Sequence, residues 1–367
     1  MTEQAGRNRK EFGLLRKTLY RRTTLLITAL LVLANFPARA QVKEFIFNTA
    51  PFASSHASTI VELKGGDYLA AWFGGTAEGA KDVAIWSARR NSSGWSKPIE
   101  LAREPNVPTW NPVLFHTKSG RLWLYYKFGP SYTWWTAARR WSDDEGRTWS
   151  PIEHLPAGIL GPIRAKPLVL DSGLIVSGTS VESYSSWAAW VERSTDNGLT
   201  WTKAGPITLP QLKAAPQAKS PKDASEAIGI IQPVVVSLGG KHLRLYARST
   251  SQIGKICVAD SNDLGATWSD ARPLDLPNPN SGIDLVKLHD GRIILIYNDT
   301  TSGRSPLNLA VSNDGQSFKN FATLESNPGE FSYPAIIEGS DKSLHITYTF
   351  NRKSIRYVNY PINKIPK

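Results

Sequence analysis

Two carboxylates four residues apart, Glu78 and Asp82, stand in the glycine-rich stretch FGGTAEGAKD. A carboxyl presented on such a loop can act as a general acid, and two solvated loop carboxylates are the plainer reading. His56 has the chemistry of an acid/base or a substrate ligand, although a structural histidine accounts for it equally well. Tyr132, Trp134 and Trp135 in SYTWW are aromatics of the kind that stack on sugar faces, or pack inside. Asp284 in NPNSGID either meets sugar hydroxyls, orients an arginine or caps its own turn. Asn111 in TWNPV, and Arg164 and Lys166 in GPIRAK, stand at the starts of apolar runs, where they would extend a cationic or hydroxyl-binding rim.

A second set of carboxylates is repeated. SDDEGRTW at 142–149 returns as STDNGLTW at 194–201 and SNDLGATW at 261–268, with looser versions ending at Trp95 and Phe318. In each, Asp144, Asp196 or Asp263 can accept hydrogen bonds from its own turn. Gly146, Gly198 or Gly265 allows positive φ, and the terminal Trp can pack between sheets. These boxes read as hairpin clasps between a third and a fourth strand, and their carboxylates as framework.

The elements that hold these residues repeat as well. The aromatic ends of the boxes lie 54, 52, 67 and 50 residues apart. Between them run six strand-turn-strand segments, from VELKGGDYLAAWF to IIEGSDKSLHITYTF. A period near 50 with four short strands per unit predicts an all-β fold, a six-bladed β-propeller with Asp-box hairpins over residues 41–367. The last repeat, ending in SIRYVNY, is one strand short, and KEFIF near residue 45 is expected to supply it and close the ring. The 67-residue interval is explained by QLKAAPQAKSPKDASEA, a polar loop inserted before the fourth blade.

Residues 1–40 differ from the rest. Arg16, Lys17, Arg21 and Arg22 lead into LLITALLVLANF and then Ala38-Arg39-Ala40, the pattern of a secretory signal peptide cleaved after Ala40. An uncleaved membrane anchor is the alternative, and the chain is expected to be secreted or periplasmic. The formal charge is +12, from 43 Lys/Arg and 31 Asp/Glu; the first 40 residues hold eight and two of these, so +6 remains. That mild charge favours anionic ligands and argues against a nucleic-acid partner. The single Cys257 excludes an internal disulfide framework and paired-cysteine zinc sites. With no phosphate or dinucleotide fingerprint, no cofactor and no metal are expected.

The order of polar residues between the boxes resembles the sialidase (neuraminidase) superfamily, in its BNR/Asp-box branch, from about residue 45 to 358. The resemblance implies an arginine triad for the substrate carboxylate, a nucleophilic tyrosine paired with a glutamate, and an aspartic acid/base. LYARS points to Arg248 as the second arginine, RSPLNLAVS to Arg304 as the third, and FSYPAII to Tyr333 as the nucleophile. The acidic loop of the family falls on FGGTAEGAKD, with Asp82 preferred as acid and Glu78 as its alternative. Two positions depart from the pattern. His56 stands where the first arginine belongs, and Gln232 in IIQP takes the place of the glutamate. A glutamine accepts no proton, so the resemblance leaves Tyr333 without its usual base and its ionisation near neutral pH poorly supported.

The leading expectation is an exported, exo-acting glycoside hydrolase of sialidase type acting on a terminal acidic or modified sugar of a glycan. A polysaccharide lyase on a uronate-containing glycan, with His56 and Tyr333 as base and acid, is one alternative. A non-catalytic glycan-binding propeller, suggested by Gln232, is the other.

Overall fold

The computed structural model describes residues 41–183, 186–212 and 227–367. The expected signal peptide at 1–40 and nearly all of the expected inserted loop lie outside the described residues. Within them the chain is all-β, with only short 3-10 turns besides strands. No described helix is long and apolar enough to cross a membrane.

After β1 (Val42–Phe45), the strands run as six consecutive units, each antiparallel within itself, and the third and fourth are joined into one sheet by a short parallel pairing of Ser186 with Ile228 and Trp187 with Gly229. The first holds β2 (Ser54–Glu62), β3 (Tyr68–Gly75) and β4 (Ala84–Asn91), with β5 (Gly94–Trp95) and β6 (Ile99–Ala102) both paired to β4. The second holds β7 (Thr109–His116), β8 (Leu122–Phe128), β9 (Thr136–Ser142) and β10 (Glu153–His154). The third holds β11 (Leu168–Val169), β12 (Ile175–Glu182), β13 (Ser186–Ser194) and β14 (Thr202–Ile207). The fourth holds β15 (Ile228–Gly239), β16 (His242–Ser249), β17 (Lys255–Ser261) and β18 (Arg272–Pro277). The fifth holds β19 (Asp284–Lys287), β20 (Ile293–Tyr297), β21 (Leu307–Ser312) and β22 (Lys319–Glu325). The sixth holds β23 (Phe331–Glu338), β24 (Ser343–Phe350) and β25 (Ser354–Pro361), and β1 completes it by pairing Val42 with Asn359 and Phe45 with Arg356.

The second strand of a unit is packed on both faces, which is why it reads as a continuous apolar run rather than an alternating one. All eight residues of β3 and all five of β20 are buried. Each apolar layer lies between two successive units. Leu69 and Phe73 of the first meet Leu114 and Leu124 of the second, and Val176 and Val191 of the third meet Leu243 and Leu245 of the fourth. The sequence continues until Trp72 and Ile60 of the first unit meet Tyr357 and Ile355 of the sixth. Units that pack in this circular order are consistent with a β-propeller.

The boxes sit between the third and fourth strands of their units. Asp144 accepts from Thr148 N at 2.9 Å, Thr148 Oγ1 at 2.7 Å and Ser142 Oγ at 2.7 Å. Asp196 and Asp263 repeat the arrangement with Thr200 and Thr267. Trp149 packs on the apolar layer between the first two units and donates to Gly146 O at 3.2 Å.

Candidate functional site

Four first strands break register at the same place. Pairing slips between His56 and Thr59 in β2, Trp110 and Val113 in β7, Ile231 and Val234 in β15, and Ser332 and Ala335 in β23. Inside each slip one residue adopts positive φ: Ala57 at 54°, Asn111 at 38°, Gln232 at 52° and Tyr333 at 49°. Asn111, Gln232 and Tyr333 each precede a proline, which has no N–H to give the ladder and so suits a bulge. A bulge re-aims a side chain, and a left-handed residue as large as tyrosine costs about 1–3 kcal/mol unless its surroundings hold it there. All three side chains line one cleft of about 200 Å³.

Tyr333 is the centre of this cleft. Its hydroxyl accepts from Arg248 Nη1 at 2.9 Å. The guanidinium carbons of Arg164, Arg304 and Arg248 lie 5.4, 5.5 and 5.7 Å from the ring centroid. Burial alone would push the phenol up, but Arg248 and Arg304 outweigh it and hold the pKa below its ordinary value near 10. These cations favour the phenolate, but a guanidinium accepts no proton, and Gln232 offers no base at the position where a glutamate was expected. Gln232 Oε1 accepts from Arg248 Nη1 at 3.1 Å, and Asn280 Oδ1 from Arg248 Nε at 2.9 Å, which fixes the guanidinium.

Arg304 and Arg352 share a counter-ion. Arg304 Nη1 and Arg352 Nε each donate to Glu330 at 2.8 Å, and Arg352 also binds Glu78. Burial pushes the Glu330 carboxyl up, yet Arg352 and Arg304 bring it below its usual range. Arg352 sits in the turn from β24 to β25, where Asn351 and Arg352 both have positive φ, at 53° and 55°. The turn is docked through Arg352 O, which accepts from Ser55 N at 2.9 Å, and through Asn351 N to Glu330 O at 2.8 Å. Arg352 thus arrives beside His56.

His56 lies behind Tyr333, with ring centroids 4.3 Å apart, and is not among the residues lining the cleft. It is 1% exposed. Burial drives its pKa well below 6.5, and Arg352, Arg304, Arg164 and Arg248 add to that, so the ring is neutral. Of the two expected acids, Glu78 lines the cleft in its ion pair with Arg352. Asp82 does not. Its carboxylate accepts from Thr76 Oγ1 at 2.6 Å and Thr76 N at 2.9 Å, and these bonds hold its pKa low.

Three further expectations are corrected. Arg164 is no rim residue: it is 3% exposed and donates to Ile283 O at 2.9 Å and to Pro334 O, beneath Tyr333. Lys166 donates to Asp284 Oδ2 at 3.0 Å and Leu285 O at 2.9 Å. Asp284 is 1% exposed, accepts from Ile336 N at 2.9 Å, and is neither among the residues lining the cleft nor a hydrogen-bond partner of Arg248. Its carboxylate braces β19 against β23. Of the three aromatics, Tyr132 and Trp135 line the cleft, while Trp134 is 65% exposed.

Sequence reading missed Arg352, Glu330, Glu182 and Trp187. The signals were weak. Arg352 occupies a hairpin turn position that favours glycine or asparagine, and Glu182 ends the apolar run IVSGTSVE.

Residues 66–346 match the family model described as the BNR repeat-like domain. Among curated proteins no relative matches. Among solved structures, a protein of unknown function from Dyadobacter fermentans aligns with a TM-score of 0.72 at 16% identity, over 89% of this chain and 100% of that one. The NanB sialidase of Streptococcus pneumoniae aligns with a TM-score of 0.68 at 16% identity, over 88% of this chain and 71% of that one. The intramolecular trans-sialidase of Ruminococcus gnavus aligns at 0.64 and 14%, over 88% and 98%. At these identities the likeness is one of fold. A recurrent clasp, circularly packed units and a family match over most of the length agree with one another: the chain belongs to the BNR repeat-like family.

Proposed function

We propose that this protein is an exported, exo-acting glycoside hydrolase of sialidase type, built as a six-bladed β-propeller and acting on a terminal acidic sugar of a glycan. The observation that carries the reading is Tyr333 in its ring of arginines. Arg248 and Arg304 would hold a sugar carboxylate through charge-assisted hydrogen bonds. The Tyr333 oxygen, favoured as phenolate by the same cations, would attack or stabilise the oxocarbenium-like carbon. A carboxyl group lining the cleft would protonate the leaving oxygen; Glu78 is better placed for this than Asp82.

The lyase alternative asks His56 to act as base on the substrate, and its position behind Tyr333 disfavours that. A binding-only role keeps one supporting observation, Gln232 in the cleft at the position where the resemblance implies a glutamate. The test is a screen of the purified protein against sialosides, glucuronosides and rhamnosyl-uronates. A hydrolase yields the free sugar with one added water and no new ultraviolet absorbance. An unsaturated, absorbing product identifies a lyase, and binding without turnover at any pH identifies a lectin-like protein.

A further inference from the structure

The third unit brings a further carboxyl into the cleft that holds Tyr333. We propose that Glu182 is the carboxyl that transfers a proton to and from the glycosidic oxygen; this rests on the hydrolase reading.

Glu182 ends β12, opposite Trp187 across the hairpin to β13, and both line the cleft that holds Tyr333. It is 8% exposed, and its Oε1 has no hydrogen-bond partner among the described residues. Three donors on the same cleft are also unpartnered there: Asn111 Nδ2, Trp135 Nε1 and Trp187 Nε1. A buried polar atom without a partner costs about 1–3 kcal/mol. Four on one cleft mark a surface completed by a hydroxyl-rich ligand. Tyr132 and the cations Arg248, Arg304 and Arg352 line the same cleft.

The other carboxyls at this end are committed elsewhere. Glu78 is bound by Arg352, Glu330 by Arg304, Arg352 and Ser332, and Asp82 by Thr76. Burial pushes Glu330 up, yet its arginines bring it below the usual range, and the Thr76 bonds hold Asp82 low; an anion has no proton to give. Arg248 acts on Glu182 and favours its charge, and Glu182 in turn pushes the Tyr132 phenol up. Burial outweighs Arg248 and lifts the carboxyl to about 7, so acid and base forms coexist near neutral pH.

The step balances simply. The Glu182 proton passes to the glycosidic oxygen as the bond from that oxygen to the anomeric carbon breaks, the bonding pair leaving with the oxygen. The Glu182 carboxylate then removes a proton from the water that bonds to the same carbon, and where the Tyr333 oxygen has bonded there, that bond breaks with its electron pair returning to the phenolate.

The experiment compares Glu182→Gln and Glu78→Gln with the parent on methylumbelliferyl and methyl glycosides of sialic and glucuronic acid. An aryl leaving group departs without protonation, whereas methanol does not. Glu182→Gln is expected to lower kcat on the methyl glycoside about 100-fold or more, and on the aryl glycoside less than about tenfold. The alkaline limb of the pH profile should disappear with it, and Glu78→Gln should show no such discrimination. Equal losses on both substrates, or no loss, overturn the assignment and leave the hydrolase reading standing. A parent enzyme that cleaves neither substrate class overturns the hydrolase reading and the assignment with it. Carbon NMR of glutamate-labelled protein adds a readout free of turnover: the resonance lost in Glu182→Gln should titrate near neutrality, and titration in the ordinary carboxylate range overturns the proposal.

Discussion

Arg248 and Tyr333, 85 residues apart in the chain, meet with Nη1 2.9 Å from the phenolic oxygen, and that bond ties the fourth unit to the sixth across the cleft. It gives Tyr333 a distinctive titration. Burial pushes Tyr68, Tyr126, Tyr297 and Tyr348 up, whereas Tyr333 moves down. The first phenolate to form on raising the pH should therefore be Tyr333. Tyr333→Phe should remove that first step from a phenolate absorbance titration and abolish turnover. A titration curve unchanged below pH 10 contradicts the placement of the arginines.

Arg248→Met removes the donor and leaves Gln232 and Asn280 without their shared partner. Loss of hydrogen bonds to a charged group costs about 1.5–3 kcal/mol, so affinity for an acidic sugar should fall roughly 10- to 100-fold. The Tyr333 pKa should rise at the same time. Calorimetric binding and the phenolate titration measure these separately, and a change in only one of them divides anion binding from tyrosine activation.

The repeated boxes should matter for stability and leave chemistry untouched. Asp196→Ala removes the acceptor of Thr200 N and Oγ1, at 2.9 and 2.5 Å, a loss comparable to that of a helix cap, about 1 kcal/mol. Turnover per folded molecule should be unchanged. Hydrogen bonds from Thr267 lower the Asp263 pKa to about 2, and those from Ser317 lower Asp314 to about 2. A carboxyl depressed in the fold contributes stability above its unfolded value near 4, and that contribution is lost as pH falls toward 2. Thermal midpoints should drop across that window, and Asp263→Asn should make the drop shallower.

Gly178 in β12 faces the bulge that aims Gln232. A Cβ there would come within 1.9 Å of Pro233 O, so the backbone must move. Gly178→Ala should cost about 1–3 kcal/mol in urea unfolding. It should also reduce turnover beyond what stability explains, because Pro233 carries Gln232 and Gln232 steadies Arg248.

Burying Asp284 beside Lys166 makes that pair structural. Lys166→Met should destabilise the protein by about 3–5 kcal/mol, since a buried carboxylate loses its cation. Ligand affinity of the folded fraction should hold. A selective loss of affinity would place Asp284 back among the ligand-binding residues.

Period, turn residues and apolar runs were enough to read four-stranded units, because those features act between neighbours in sequence. Asp144 reaches Thr148 only four residues away, and the unpaired last repeat ending at Tyr360 announces that Val42–Phe45 must complete it. Tyr333, Arg248, Arg304 and Gln232 were named through resemblance and meet in one cleft, together with Glu78, which stood only as the alternative to Asp82. The roles of Asp284, Lys166, Arg164 and Asp82 were not, since each depends on which face of a bulge or turn its side chain leaves by. Spacing along the chain carries no record of that choice. Arg352 and Glu182 were invisible for a related reason. They come from hairpins of the sixth and third units, and they share a cleft only once every unit between has taken its place. Adjacent residues settle the clasp and the strand, whereas the pairing of charges at the hub is settled by the whole circuit of sheets.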